Sequence, residues 1–272
     1  MEYTSVIYAV LSMGGIGLFF ALMLTLANKK LKVEEDPRVE QVEELLPGAN
    51  CGACGLPGCA ACAEAMVKDQ VTVSACPVCD KEHQQEIAKL LGVEVESGER
   101  KVAVVLCQGT KSNVKEKADY NGIATCLGNT IVSGGDKACE YGCLGQGDCI
   151  AACKFDAIHI YEDGIPVVDR QKCTGCNACV EVCPRNIIEL HPLSNKVHVL
   201  CRNKDKGKDA KAVCKAACIG CQICVKKDET GGFQVSDFLA TVDHEKYGDT
   251  TELPTDKCPN DCIVAVGKAG EK

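Results

Sequence analysis

The chain has 272 residues, a formal charge of −8 and 23 cysteines against only 4% aromatic side chains. Its length fits two or three domains, and its acidity argues against a nucleic-acid partner, because phosphate binding needs a basic face. Disulfides explain so much cysteine poorly: they belong to short secreted chains, and an odd count leaves one thiol over. Metal ligation remains, and with few aromatics it must supply much of the folding energy.

The first element is a run of 22 uncharged residues, Val6 to Ala27. As a helix it spans about 33 Å, enough to cross a hydrocarbon core. Lys29, Lys30 and Lys32 follow it, and Glu2 alone precedes it among charged residues. The positive-inside rule then puts the N-terminus outside and the rest of the chain in the cytoplasm, as a single-pass protein of the cell membrane. A signal peptide has the reverse layout and a shorter core. A buried helix of a soluble domain is the competing reading. Gly14 and Gly17 admit close approach of a partner helix. Asp36-Pro37 reads as an N-cap and first helical residue, opening a short helix with Val39, Val42, Leu45 and Leu46 on one face, stopped by Pro47-Gly48.

Cysteines then fall into four groups. Cys51, Cys54 and Cys59 sit on a glycine-rich loop, with Cys76-Pro77 to complete the set; taken alone, this group also accommodates zinc. Cys62 and Cys79 are spare, Cys62 as a small core residue on a helix. The decisive group is Cys173-x2-Cys176-x2-Cys179-x3-Cys183-Pro184. This is the bacterial ferredoxin run, in which three cysteines grip one [4Fe–4S] cluster and the fourth reaches a second. Its partner is Cys139-x3-Cys143-x5-Cys149-x3-Cys153. The crossover rule joins Cys139, Cys143 and Cys149 with Cys183, and Cys153 with Cys173, Cys176 and Cys179. Between the two motifs, Ile158, Ile160, Val167 and Val168 flank the hairpin signal Asp163-Gly164.

The last group runs Cys214-x3-Cys218-x2-Cys221-x2-Cys224. Asp228 stands at its crossover position, as a weak oxygen ligand or a solvated carboxylate. Tyr247 stands where a second motif would begin, and only Cys258-Pro259 remains of that motif. One cluster on Cys218, Cys221, Cys224 and Cys258 is expected, with Cys214 as a substitute ligand. A repeat supports duplication: Lys101 to Cys107 echoes Lys196 to Cys201, each a strand-like stretch leading through lysines to a Cys-x3-Cys pair. Cys107, Cys126, Cys201 and Cys262 are left unassigned, with structural roles preferred.

None of the five histidines, His83, His159, His191, His198 and His244, has zinc-like spacing, so packing or surface roles are expected. Neither a dinucleotide loop, a phosphate loop nor a nucleophile–base pair is present. From Arg202 to Lys215, RNKDKGKDAKAVCK carries six basic and two acidic residues. It reads as a solvated loop or as a docking patch for an acidic redox partner.

The order of anchor, Cys51-x2-Cys54-x4-Cys59, Cys76 and then ferredoxin motifs resembles the B subunit of the Rnf complex. The segment Cys139-Glu-Tyr-Gly-Cys-Leu-Gly-Gln-Gly-Asp-Cys149 looks like the clostridial form. The resemblance implies a membrane complex that oxidises reduced ferredoxin, delivers electrons to NAD⁺ or a membrane carrier, and moves Na⁺ or H⁺. It also implies partners: the other subunits and soluble ferredoxin. The expected fold is α+β: a transmembrane anchor (1–32), a small α-rich Fe–S domain (33–98), a two-cluster ferredoxin-like domain (99–195) and a degenerate one-cluster repeat (196–272). About four [4Fe–4S] clusters are expected. The alternatives are a membrane-tethered polyferredoxin serving another reductase and a structural zinc scaffold.

Overall fold

The computed structural model describes residues 3–31, 36–94, 99–247 and 258–265. Lys32 and the expected boundaries after residues 32 and 98 lie outside that range. Helix α1 (Tyr3–Leu31) is 29 residues long, about 43 Å. It contains a 21-residue apolar stretch, Ile7–Ala27, none of it buried against protein. A helix that is apolar all round and uncovered suits lipid rather than water.

Helix α2 (Pro37–Leu45) starts as its sequence demands: the Asp36 carboxylate accepts from the Arg38 N–H at 2.9 Å, and Pro37 opens the first turn. Helix α3 (Cys59–Val67) and, after a short 3-10 turn at Val73–Ala75, helix α4 (Lys81–Leu91) complete a small α-rich unit. Asp80 caps α4 by accepting from His83 N–H at 2.9 Å, and Gly92 closes it in the left-handed conformation. Val42, Leu46, Met66, Val73 and Ile87 form its core together with Cys62, Cys76 and Cys79. Sulfur takes much of the place that aromatic rings hold elsewhere.

The remainder is one plan used twice. The first unit runs β1 (Lys101–Val105), α5 (Cys126–Ile131), α6 (Asp148–Ala152), β2 (Ile158–Ile160), β3 (Pro166–Val168), α7 (Ala178–Glu181) and β4 (Ile188–Pro192). The second runs β5 (Val197–Val199), α8 (Gly207–Val213), α9 (Ile223–Lys227), β6 (Phe233–Ser236), β7 (Leu239–Val242), α10 (His244–Tyr247) and β8 (Ile263–Ala265). In each, the first strand pairs antiparallel with the last and an inner hairpin lies between. β1 meets β4 with Val105 opposite Ile188; β5 meets β8 with Val199 opposite Ile263. The ladders end alike, with Leu106 N–H donating to Ile187 O and Leu200 N–H to Cys262 O, each at 2.7 Å. The inner hairpins are β2–β3, around Asp163-Gly164, and β6–β7, around Asp237-Phe238, both of which have positive φ as a two-residue primed turn requires.

The halves are stitched together. Lys115 N–H donates to Val213 O at 2.9 Å and Lys215 N–H to Asn113 O at 2.8 Å, around a bridge between Val114 and Cys214.

Two glycines hold matching places in the cysteine loops. Gly175 has φ +71°, and a Cβ on it would stand 2.6 Å from Lys101 O; Gly220 has φ +62°, and its Cβ would stand 2.9 Å from the Phe238 backbone. Each lets a cysteine loop press against its strand layer. Gly175→Ala therefore adds a backbone clash to left-handed strain and should cost about 2–4 kcal/mol in denaturant unfolding of the loaded protein. Gly134→Ala, also at positive φ (+69°) but with nothing within 4 Å, should cost only about 1 kcal/mol. Equal losses would mean that the close approach is unimportant.

Candidate metal centres

In the α-rich unit, Asn50 organises the first loop. Its Oδ1 accepts from Cys59 N–H at 2.8 Å and its Nδ2 donates to Gly48 O at 3.2 Å. Gly55 N–H closes a turn on Gly52 O at 2.9 Å. Cys51, Cys54 and Cys59 thus lie on a loop folded back on itself, and the Cys76 thiol interacts with both Cys51 and Cys54. Cys62, from α3, and Cys79 are buried behind them. Burial, then the neighbouring Cys54, pushes the Cys62 thiol up to about 12; burial, then Cys76, does the same to Cys79.

In the first ferredoxin-like unit, Cys153, Cys173, Cys176 and Cys179 line one cavity of about 320 Å³, with Ala103, Ala157 and Leu190 among its walls. Ala103 N–H points at Cys173 Sγ and Ala157 N–H at Cys153 Sγ, each at 3.4 Å. Burial, then Cys173 and Cys176, raises the Cys179 thiol to about 12.

The other expected set has an unexpected neighbour. The Cys149 thiol feels Cys126 and then Cys183, and the Cys143 thiol feels Cys107 first and Cys126 after it. Cys126 is carried there by α5, whose start is pinned beside Cys149: Asp148 accepts from Cys126 N–H at 2.9 Å and from Leu127 N–H at 3.2 Å. Thr125 caps the same turn by accepting from Gly128 N–H. Cys139, expected in this set, packs instead with Cys214 and Cys201 in a separate core cluster. The x5 gap between Cys143 and Cys149 holds the clue. The second unit has Cys221 between its Cys218 and Cys224; the first lacks that middle cysteine, and Cys126 lies near Cys143 and Cys149 from an earlier segment.

Cys139 lines a cavity of about 370 Å³ at the junction of the halves, with Cys107, Cys201 and Cys214. Cysteine spacing does not point to this group, although the Lys101 and Lys196 repeats contain it. Each half contributes equivalent residues: Cys107 and Cys201 after the first strand, Cys139 and Cys214 from the Cys-x3-Cys pair. Even the sulfur hydrogen bonds repeat. Cys107 Sγ accepts from Gly109 N–H at 3.3 Å and Cys143 N–H at 3.4 Å; Cys201 Sγ accepts from Asn203 N–H at 3.5 Å and Cys218 N–H at 3.3 Å. Asn203 Nδ2 also donates to Cys139 Sγ at 3.5 Å. Lys137, only 5% exposed, lines the same cavity and donates to Gly109 O at 3.3 Å. Its ammonium lowers the thiols of Cys107 and Cys214, against the larger upward push of burial.

In the second unit Cys218, Cys221, Cys224, Cys258 and Cys262 line a cavity of about 350 Å³. Cys258-Pro259 matches Cys183-Pro184, and Cys262 matches Ile187, so Cys262 occupies a core position. Its sulfur lies 3.4 Å from Cys258 Sγ. Hydrogen bonds from Cys262 lower Cys218 to about 6 and Cys258 to about 5, and the Cys262 thiol itself is raised. The Asp228 carboxylate is engaged by the chain that follows it. It accepts from Thr230 N–H and Oγ1 and from Phe233 N–H, which caps the turn into β6. Tyr247 is buried edge-on against Phe233, with ring centroids 5.3 Å apart.

Two other expectations change. His191, His198 and His244 come together, because strands and a helix close a distance that sequence spacing does not. In the basic run, Arg202 is engaged by Glu189, whereas Lys204, Lys206, Lys208 and Lys211 are exposed.

Crowded thiols, most of them pushed up by burial and two, Cys218 and Cys258, pushed down, with backbone N–H groups aimed at sulfur, suit a cationic iron–sulfur core that takes them as thiolate ligands. The arrangement defines a multi-cluster iron–sulfur electron carrier with a membrane-length N-terminal helix. Residues 46–78 match the family model described as "Putative Fe-S cluster", and residues 166–189 match "4Fe-4S binding domain". The chain is 45% identical to the B subunit of the Na⁺-translocating ferredoxin:NAD⁺ oxidoreductase complex of Acetobacterium woodii, over 94% of this chain and 78% of that protein. It is 44% identical to the B subunit of the ion-translocating oxidoreductase complex of Methanosarcina acetivorans, over 88% and 91%. It is 37% identical to the B subunit of the proton-translocating ferredoxin:NAD⁺ oxidoreductase complex of Clostridium ljungdahlii, over 96% and 93%. The chain belongs to the family of B subunits of ion-translocating ferredoxin:NAD⁺ oxidoreductase (Rnf) complexes, and [4Fe–4S] clusters are its cofactors.

Replacing Cys126 with Ala should remove one cluster, about four irons per chain. Cys62→Ala should leave iron content unchanged. Iron analysis of anaerobically reconstituted protein checks both; full iron in the Cys126 variant would restore Cys139 to its expected set.

Proposed function

We propose that this chain is the electron-entry component of a membrane-bound, redox-driven Na⁺ or H⁺ pump, taking electrons from reduced ferredoxin and passing them on towards NAD⁺ or a membrane carrier. One observation carries the reading: cysteines crowd together at several places along a single chain, far more than one small redox site needs, and we group them into five sets of four. The sets are Cys51, Cys54, Cys59 and Cys76; Cys107, Cys139, Cys201 and Cys214; Cys126, Cys143, Cys149 and Cys183; Cys153, Cys173, Cys176 and Cys179; and Cys218, Cys221, Cys224 and Cys258. When bound, a [4Fe–4S] cluster in each supplies one-electron chemistry at potentials set by sulfur hydrogen bonds, charge and exposure.

The residues around each set do the tuning. Backbone N–H groups donating to Cys107, Cys201, Cys173, Cys153 and Cys218 favour the more negative, reduced state. Lys137 does the same at the junction through its charge. α1 fixes the assembly to the membrane, and Lys29 and Lys30 at its end support a cytoplasmic placement for everything that follows. This is the compartment in which thiolates stay reduced.

Ferredoxins are small acidic carriers, and this chain is acidic too, so docking needs a local basic surface. Lys204, Lys206, Lys208 and Lys211 provide one. Gly207, between two of these lysines, presses so closely on the Cys218–Cys221 loop that an added Cβ would stand 2.5 Å from Ile219 O. Cys221 in that loop is exposed. The basic surface thus adjoins the set with a thiol at the surface.

Iron analysis of fully loaded protein should give about twenty atoms per chain; sixteen or fewer would remove at least one set. Reversing Lys204, Lys206 and Lys208 to Glu should slow stopped-flow reduction by ferredoxin about tenfold at low salt, and the difference should fade as screening rises. Reduction by a small neutral reductant should be unchanged. An unaltered low-salt rate would place ferredoxin elsewhere, and a chain that accepts electrons only from a different reductase would favour the simple tethered polyferredoxin.

A further inference from the structure

His191, His198 and His244 come from three elements. His191 lies on β4 in the first unit; His198 on β5 and His244 at the start of α10 lie in the second. Each offers a ring nitrogen, and the three nitrogens lie within 4.8 Å of one another. The rings stand edge to face or tilted, with centroids 5.0 to 5.5 Å apart. Three imidazoles stacked for packing alone would seek hydrogen bonds for their buried nitrogens. Here the geometry falls short: the Asn195 backbone lies near His198, which is 5% exposed, and Glu189 Oε2 lies 3.4 Å from His191 Nε2, yet neither ring nitrogen of His198 nor Nε2 of His191 makes a well-formed hydrogen bond. Buried polar atoms are rarely left so, and each one asks for an explanation.

We propose that His191, His198 and His244 bind a divalent first-row cation, zinc in the cell, which clamps the two ferredoxin-like units together. Neutral imidazole is a favoured ligand of zinc, and three of them with one open position form a known tetrahedral set. A tetrahedral ion with bonds of about 2.0–2.1 Å holds its nitrogens about 3.4 Å apart, so the rings close in modestly on binding. The groups facing the site suit this. Burial first, then the Arg170 guanidinium, lowers His191; burial first, then His191 and His244 and after them Arg170, lowers His198, so both stay neutral with a lone pair free. Arg170 is itself held on the β4–β5 turn by Leu193 O and Asn195 O. Its charge opposes a cation, and two carboxylates offset it: Glu189 Oε2 is 3.4 Å from His191 Nε2, and Asp243 adjoins His244. Glu189 also holds Arg202, and Asp243 holds Lys246 at 3.3 Å. Zinc has no redox chemistry, so the site steadies the junction without joining the electron path.

Zinc is counted separately from iron, so this test is independent of the cluster assignments. The full chain, anaerobically loaded with iron and sulfide and then given one equivalent of zinc, is dialysed against metal-free buffer. About one zinc per chain should remain. Its X-ray absorption edge should report nitrogen or oxygen neighbours at about 2.0 Å and no sulfur at about 2.3 Å. His244→Ala, at a half-buried position, should lose at least nine-tenths of that zinc and keep all its iron; His191→Ala should do the same. No retained zinc, a sulfur-dominated shell, or full zinc in both variants would overturn the proposal.

Discussion

A buried thiol resists losing its proton, and several in one apolar pocket resist more, because each ionised neighbour opposes the next. That crowding is the constraint on which the rest of the structure depends. Burial and neighbouring thiols hold Cys143, Cys179 and Cys201 near 12. A cation among them removes the conflict, so cluster ligation and folding are one equilibrium. The small cores fit this. Two-stranded ladders of three to five residues and helices of four or five have little intrinsic persistence. Their side chains meet mainly around sulfur, so the clusters act as the centres on which short elements are assembled.

Duplication explains where the sets fall. Each half closes its first strand on its last, wraps an inner hairpin and places a Cys-x3-Cys pair before its motif. Within one half, Cys107 and Cys139, or Cys201 and Cys214, amount to half a ligand set. Joined along the Val114–Cys214 bridge, the two halves complete one another. The shared cavity is then a reason for the halves to stay together, since neither lines it alone. The histidine trio draws on both halves in the same way.

Much of this is legible in the sequence. Asp36-Pro37 announces a helix start, Asp163-Gly164 a hairpin, and Cys173 to Cys183 a ferredoxin run, because each signal is local and its geometry is fixed by adjacent residues. The different place of Cys139 and the unexpected role of Cys126 share one cause. Motif spacing assumes that ligands come from consecutive turns, whereas α5 brings Cys126 in from another segment through the Asp148 carboxylate. Asp228 departs from expectation for a related reason: its crossover position suggests a ligand, but the backbone of the next turn claims both its oxygens. The histidines need tertiary pairing, which no spacing rule supplies.

The second unit also shows what stands where its pattern lacks cysteines. Asp228, at the crossover position, is a turn cap, and Tyr247, in place of a motif cysteine, packs on Phe233 in the core. Two rings buried edge to face restore apolar contact that a cluster and its loop would otherwise provide. Among the described residues they are among the few aromatic side chains of the buried core, and they occur where the second motif is missing. Hydrophobic burial and metal ligation therefore stand in for one another in this chain. The exchange keeps the set of Cys218, Cys221, Cys224 and Cys258 on a firm base while its Cys221 edge stays open beside the lysines of α8. A unit with two full motifs would place further cysteines on that base; this one leaves a single exposed cysteine, Cys221, at its edge.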